Sequence, residues 1–298
     1  MPLIDQLKSW EHEVSAGFVL RGYHSTPTGK PVIHFIHGNG FCGLTYEKVL
    51  APLLDDYDLF ISDAQGHGNS DAGDKYAGWN RSARYSAEAW DHYSTLWKGV
   101  PKIACGHSYG AVMSCVMMAK QPELFTRAVL LDPVLTPELS SHIWVLMSQF
   151  GLSKRMALPK QAAVRTSMWL NEEALWEYFH ERGVFKGWDE DCLRSYLRHG
   201  MTRDEQGRVH LKCPPEIEAA IFASYPKWLW RKLRAIQVPV DIVYGETTFP
   251  FIHKALPKLV KENSKISVSS IPGGHCFMQE DPAATTQRIR ELLRNKIA

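Results

Sequence analysis

The chain has 298 residues, 45% hydrophobic and 22% charged, which suits one large folded domain and excludes a disordered or fibrous sequence. Its 34 basic and 32 acidic side chains leave a formal charge of +2, and no basic cluster recurs with interleaved aromatics, so no nucleic-acid partner is expected. The opening MPLIDQLKSWEHEV lacks the apolar core of a signal peptide, no apolar stretch is long enough for a membrane span, and the six cysteines are scattered without C-x-x-C spacing; a reduced, cytoplasmic protein is expected.

Residues 17–24 (GFVLRGYH) read as an early strand, with an upstream stretch as its candidate partner. Residues 31–37 (PVIHFIH) form a short apolar strand, 44–54 a helix, 58–63 a strand and 82–97 a helix. A strand over 102–106 leads into a helix over 109–121, and 126–132 (TRAVLLD) is another buried strand. This alternation predicts a mainly parallel sheet. Between residues 133 and 236 strand signals fade. The composition there is helical and holds Trp144, Trp169, Trp176, Trp188, Trp228 and Trp230. Strands return at 238–245 and 265–272, and a last helix covers 282–295. A core of 1–133 and 237–298 is therefore expected, interrupted by a helical insertion, 134–236, large enough to be a cap.

The stretch KIACGHSYGAVMSCVMMA, residues 102–119, carries the chemistry. Strand, Gly-His-Ser-Tyr-Gly turn and small-residue helix are the context that a nucleophile elbow requires, with Ser108 on the tight turn. The bland alternative is an inert serine in a glycine-rich turn. A serine hydroxyl is a poor nucleophile unless a base, a group orienting that base and donors for an oxyanion surround it. His275, in the loop GGHCF at 273–277 after the last strand, is the candidate base. The Tyr109 N–H, directly after the nucleophile, is one oxyanion donor, and the turn HGNGF at 37–41 should supply the other.

These pieces, HGNG at 37–40, DAQGHGNSD at 63–71, GHSYG at 106–110 and GGHCFMQEDP at 273–282, resemble the α/β-hydrolase superfamily over almost the whole core. The resemblance implies a mostly parallel eight-stranded sheet flanked by helices, a helical cap inserted after strand six, and a serine-hydrolase mechanism. It implies Asn39 as the second oxyanion donor, and it makes Asp63 and His67 organisers of loops. In most relatives the acid of the triad follows strand seven, in a G-x-x-D turn. Here that turn reads Gly245-Glu246-Thr247-Thr248, and Thr248 is no carboxylate. Asp132, ending strand six, is the first candidate, because some relatives, haloalkane dehalogenases among them, carry the acid there. Glu246 is the alternative.

No metal or cofactor is expected. His34, His37 and Cys42 lie close together, but side chains alternate along a strand and no carboxylate joins them at ligand spacing. GHGNSD lacks the strand-to-helix setting of a dinucleotide site. Phe41, Trp144, Met147 and Phe249 are candidates for an apolar substrate pocket, against the competing reading that aromatic residues of the insertion pack on one another. The expected partner is a small or medium apolar ester, hydrolysed through an acyl-enzyme on Ser108. The same triad could serve a C–C bond hydrolase, a thioesterase or a haloperoxidase-like enzyme. A non-catalytic ligand-binding protein of the same fold is the reading that the hydroxyl at position 248 favours.

Overall fold

The computed structural model describes residues 1–294 and builds them around one eight-stranded sheet. The chain begins with an antiparallel pair, β1 (Leu7–Glu13) and β2 (Val19–Ser25), then adds β3 (Val32–Ile36), β4 (Asp58–Ser62), β5 (Lys102–His107) and β6 (Arg127–Leu131). The short strands β7 (Met168–Trp169), β8 (Met201–Arg203) and β9 (Val209–Leu211) make a separate small sheet before β10 (Val240–Gly245) and β11 (Ile266–Ile271) complete the large one. Its order is β1-β2-β4-β3-β5-β6-β10-β11. β2 runs antiparallel to β4, and every pairing from β4 through β11 is parallel.

Parallel neighbours need crossovers, and helices supply them. In chain order these are α1 (Glu47–Leu50), α2 (Trp79–Ser94), α3 (Tyr109–Lys120), α4 (Glu138–Gln149), α5 (Ala157–Ala163) and α6 (Glu172–Phe179). Then come α7 (Glu190–His199), α8 (Pro215–Phe222), α9 (Leu229–Ala235), α10 (Pro250–Glu262), α11 (Phe277–Glu280) and α12 (Pro282–Arg294). With helices on both faces, the central strands have no solvent side. β3 (VIHFI), β4 (DLFIS) and β6 (RAVLL) are accordingly buried at every position. The edge strand β1 (LKSWEHE) buries only Trp10, and its exposed charges discourage pairing with another chain. Trp10 donates its indole N–H to the Ile61 carbonyl at 3.1 Å, across Gly22, where a Cβ would lie 2.1 Å from that same oxygen.

The strands sit where the sequence places them, and residues 17–24 do pair with an upstream strand. The helix expected over 44–54 is broken up. A tight turn at Gly43–Tyr46, the single α-turn of α1 and a second tight turn at Ala51–Asp55 replace it, because Pro52 has no N–H to continue an α-helix. The last helix ends at Arg294 within the described residues; position 295, and the stretch 295–298 of the expected core, lie outside them. Between β6 and β10 the chain is mainly helical, but it also holds the small β7-β9-β8 sheet, whose strands are too short to leave a periodic signal. Aromatic residues of this segment largely pack on one another: Phe185 lies with its ring centre 4.8 Å from Trp188, 4.9 Å from Phe179 and 5.0 Å from Tyr196. Among the described residues no helix is long and apolar enough to cross a membrane, and all six cysteines are buried and unbridged.

Arg127 locks the C-terminal helix to the sheet. Its guanidinium bonds the Asp241 carboxylate of β10 at 3.0 Å and the carbonyls of Leu292 and Leu293 in α12 at 2.7 and 2.9 Å, all in the interior. Losing the guanidinium removes the counter-charge of the buried Asp241 carboxylate and the donor to two helix-end carbonyls, so Arg127→Ala is expected to lower stability by about 3–5 kcal/mol. Urea unfolding followed by tryptophan fluorescence measures the loss.

Candidate active site

β5 passes into α3 through Ser108, whose backbone (φ 52°, ψ −110°) is strained for a residue with a side chain. The close approach of strand and helix requires the two flanking glycines. A Cβ on Gly110 would sit 2.1 Å from the Ile36 carbonyl oxygen, and one on Gly106 would sit 2.8 Å from the Gly110 backbone. The turn is held from below by the Ser108 N–H, which donates to the Leu131 carbonyl at 3.0 Å.

The Ser108 hydroxyl lies 2.9 Å from His275 Nε2, and His275 Nδ1 lies 2.5 Å from Asp132 Oδ2. Asp132 is fully buried. Its other oxygen accepts the Gly245 N–H at 2.9 Å, and the Thr248 hydroxyl donates to the oxygen that faces the imidazole. Thr248 thus stands at the G-x-x-D position as a donor to a carboxylate that comes from the neighbouring strand. Glu246, the alternative acid, is on the surface; its backbone N–H pairs with the Ile271 carbonyl, while His275 Nδ1 is taken by Asp132.

His275 is carried by a sharp loop. Gly273 has φ 115°, where a Cβ would press within 2.7 Å of the Glu280 carboxylate, and that carboxylate accepts the Gly274 N–H at 3.1 Å from each oxygen. The His275 carbonyl accepts Nε2–H of His107 at 2.9 Å. With that proton assigned, His107 Nδ1 accepts from the Tyr46 hydroxyl at 2.7 Å, and the Tyr46 oxygen accepts the Gly38 N–H at 3.1 Å. One chain of hydrogen bonds therefore runs from the glycine turn after β3 to the loop of His275.

Two further imidazoles hold that turn. His67 donates from Nδ1 to the Gln65 carbonyl at 2.9 Å and accepts the Gly40 N–H on Nε2 at 3.0 Å. His37 donates to the Gly38 carbonyl at 2.7 Å and accepts the Ala64 N–H at 3.0 Å. Asp63 accepts the N–H groups of Gly43 and Asn69 at 2.8 and 3.1 Å, a loop-organising arrangement. The N–H groups of Gly38 and Gly40 are thus occupied. Among the described residues, the N–H groups of Asn39 and Tyr109 have no acceptor, and Tyr109 opens α3, where first-turn N–H groups and the helix dipole favour negative charge. The Asn39 side chain is tied to the Glu218 carbonyl of α8 at 3.2 Å.

A profile of the alpha/beta hydrolase family matches residues 35–288. The chain belongs to this family. Ethanol acetyltransferase 2 of Hanseniaspora uvarum is 23% identical over 193 residues; the match covers 59% of this chain and 53% of that enzyme, so the chain spans about half the length of this curated relative. Among solved structures, E-2-(acetamidomethylene)succinate hydrolase superposes with a TM-score of 0.78 at 22% identity, covering 96% of this chain and 99% of the other. The peroxisomal alpha-beta-hydrolase Lpx1 of Saccharomyces cerevisiae gives 0.77 at 15% identity, with 98% and 90% covered. These likenesses are to the fold.

Within this alpha/beta hydrolase the four pocket candidates part company. The half-exposed Phe249 has its ring 4.8 Å from that of His275 and stacks on Phe251. Phe41 is buried, 6.4 Å from the His107 ring and 5.5 Å from Trp188, between the core and the α6–α7 region. Trp144 and Met147 are half-buried on α4, and Trp144 packs into the core; among the described residues no hydrogen bond or ring contact joins them to Ser108, Asp132 or His275. Sequence reasoning passed over Tyr46 and His107, and it singled out Thr248 only as a missing carboxylate, not as a donor to Asp132. His107 lies inside the GHSYG motif and reads there as a spacer. Tyr46 carries no local signal, since its role depends on a partner far along the chain.

Burial holds these histidines neutral. His37 is pushed down to about 4 and His67 to about 3 from an ordinary value of 6.5, the neighbouring His37 adding to burial for His67; His107 is held well below 6.5 by burial and then by His275. The unfolded chain therefore takes up protons below pH 6.5 that the folded chain refuses. Stability should fall as pH drops from 6.5 towards 4, by about 1.4 kcal/mol per pH unit for each such imidazole. Urea midpoints measured across this window check it; a constant midpoint would mean that these rings charge in the folded protein.

Proposed function

We propose that the protein is a serine hydrolase of carboxylic esters with Ser108 as nucleophile, His275 as general base and Asp132 as the acid that orients it. The reading is carried by one observation, the continuous Ser108 Oγ–His275 Nε2, His275 Nδ1–Asp132 Oδ2 contact at 2.9 and 2.5 Å. Ser108 Oγ attacks the ester carbonyl while its proton passes to His275 Nε2. The negative oxygen that forms is met by the Asn39 and Tyr109 N–H groups. His275 then protonates the leaving alcohol as the C–O bond breaks, leaving an acyl group on Ser108. A water, deprotonated by the same nitrogen, attacks that acyl group, and the acid and free serine are released. Asp132 keeps the imidazole in the tautomer with Nε2 free and stabilises the imidazolium.

Several features support the reading. One of the two unpaired N–H groups, that of Tyr109, directly follows the nucleophile in the chain, and the other, that of Asn39, stands in the glycine turn after β3 where the family pattern expects it. Thr248 donates to the Asp132 carboxylate, so the hydroxyl that favoured a non-catalytic protein instead serves the acid. We assign residues 1–133 and 237–298 to the catalytic core and 134–236 to a cap, whose α8 is bonded to Asn39. Phe249 and Phe41, on either side of the histidine pair, give the site an apolar border suited to a modest acyl or alcohol group. The acetyltransferase among the relatives suggests an alcohol as a second acceptor for the same acyl-enzyme.

Short p-nitrophenyl esters, matching thioesters and a fluorophosphonate probe test this. Wild type should turn over the esters and be labelled at Ser108, and Ser108→Ala should lose both. Asp132→Asn should lower kcat about 10⁴-fold by inverting the tautomer, with Glu246→Gln changing it little. Ester turnover surviving in Ser108→Ala would sink the assignment, and the reverse ranking of the two carboxylates would move the acid to Glu246.

A further inference from the structure

Helix α4 turns an apolar stripe outward. Leu139, Ile143, Leu146 and Phe150, at spacing i, i+4, i+7 and i+11, form one stripe along it, and they are 72, 50, 56 and 73% exposed. The opposite face carries Ser141, Trp144 and Ser148. The two serine hydroxyls donate back to the Glu138 and Val145 carbonyls, each at 2.7 Å, and Trp144 and Val145 are the side chains of the helix that pack against the core. Further along the chain, after α5, Val164 is 83% exposed. Trp228, also on the surface, stands with its ring 6.3 Å from that of His142 on α4. Four large apolar side chains on one helix face, each half exposed or more, mark an interaction site rather than scattered exposure.

Charge decides what covers it. Residues 139–164 contain no Asp or Glu. Lys154, Arg155 and Lys160 are exposed there, and none is ion-paired among the described residues. The acid that opens the helix, Glu138, is already neutralised by Arg234 at 2.7 Å and Lys258 at 2.5 Å. A second copy docked stripe to stripe would bring two sets of cations together with no carboxylate in this stretch to offset them. A bilayer carrying anionic headgroups supplies that charge, its acyl region receives the aliphatic stripe, and a tryptophan suits the boundary between the two. We propose that α4 and the chain through Val164 form a docking surface for anionic lipid bilayers, lying on the membrane rather than crossing it. The inference does not depend on the ester-hydrolase reading.

The full chain is spun with vesicles of phosphatidylcholine alone and with vesicles that also contain phosphatidylglycerol. Binding to the second is expected to exceed binding to the first, and to weaken in high salt as screening takes hold. Leu146→Asp with Phe150→Asp should reduce it at least tenfold, and Lys154→Glu with Arg155→Glu by about tenfold or more. Val164→Asp, outside the helix, gives an independent reading if the α4 variant does not fold by circular dichroism. The proposal is overturned if wild type stays in the supernatant with phosphatidylglycerol vesicles, or if the variants bind as well as wild type. It also falls if light scattering finds a concentration-dependent dimer that Phe150→Asp dissolves while vesicles capture nothing.

Discussion

A buried carboxylate, Asp132, is the interaction on which the rest of the site depends. Taking that charge out of water is unfavourable unless several donors face it. The three donors come from two parts of the chain: the Gly245 N–H and the Thr248 hydroxyl from the end of β10, and His275 from the loop after β11. The Asp132 N–H itself bonds the Val243 carbonyl at 2.7 Å. Satisfying one side chain therefore brings the ends of β6, β10 and β11 into register, and the proposed base follows from that register. Ser108 is reached from the other direction, because its N–H bonds the carbonyl of Leu131, the residue just before the acid.

The second layer of order is a set of neutral rings. His37, His67 and His107, with Tyr46, use donors and acceptors in complementary pairs to occupy the N–H groups on either side of Asn39. The N–H left over is the one the proposed chemistry uses. Neutral imidazole suits this task because it accepts at one nitrogen and donates at the other, which a charged ring cannot do. Burial keeps the rings in that form, and their interior position makes the arrangement sensitive to acid.

Much of this was legible in the sequence. Fully buried strands such as VIHFI and RAVLL stand out as apolar runs, and the order HGNG, GHSYG, GGH marks the strand ends where loops converge. Ser108 and His275 could be read from those motifs, and Asp132 from its place at the end of a strand. What escaped was long-range. The Tyr46–His107 bond joins positions far apart, and Thr248 acquires meaning only once β6 and β10 are neighbours. The small β7-β9-β8 sheet escaped for another reason, since strands of two or three residues carry no period. The pocket candidates on α4 were chosen for being aromatic or apolar in the insertion, yet only the fold decides which way a helix faces.

The segment between β6 and β10 leaves the sheet after Leu131 and returns to it at Val240, between two parallel neighbours paired from Ala128 to Leu131. The pairing of β6 with β10 fixes where each end of that segment stands, whatever lies between them. The entropy of closing a loop grows only with the logarithm of its length, so residues added to its surface turns cost little in closure. Ser108 and His275 sit outside it, and Asp132 stands at its first position. The fold thereby separates two kinds of change: surface turns between β6 and β10 can be lengthened or exchanged in the course of evolution while the groups of the proposed triad keep their places.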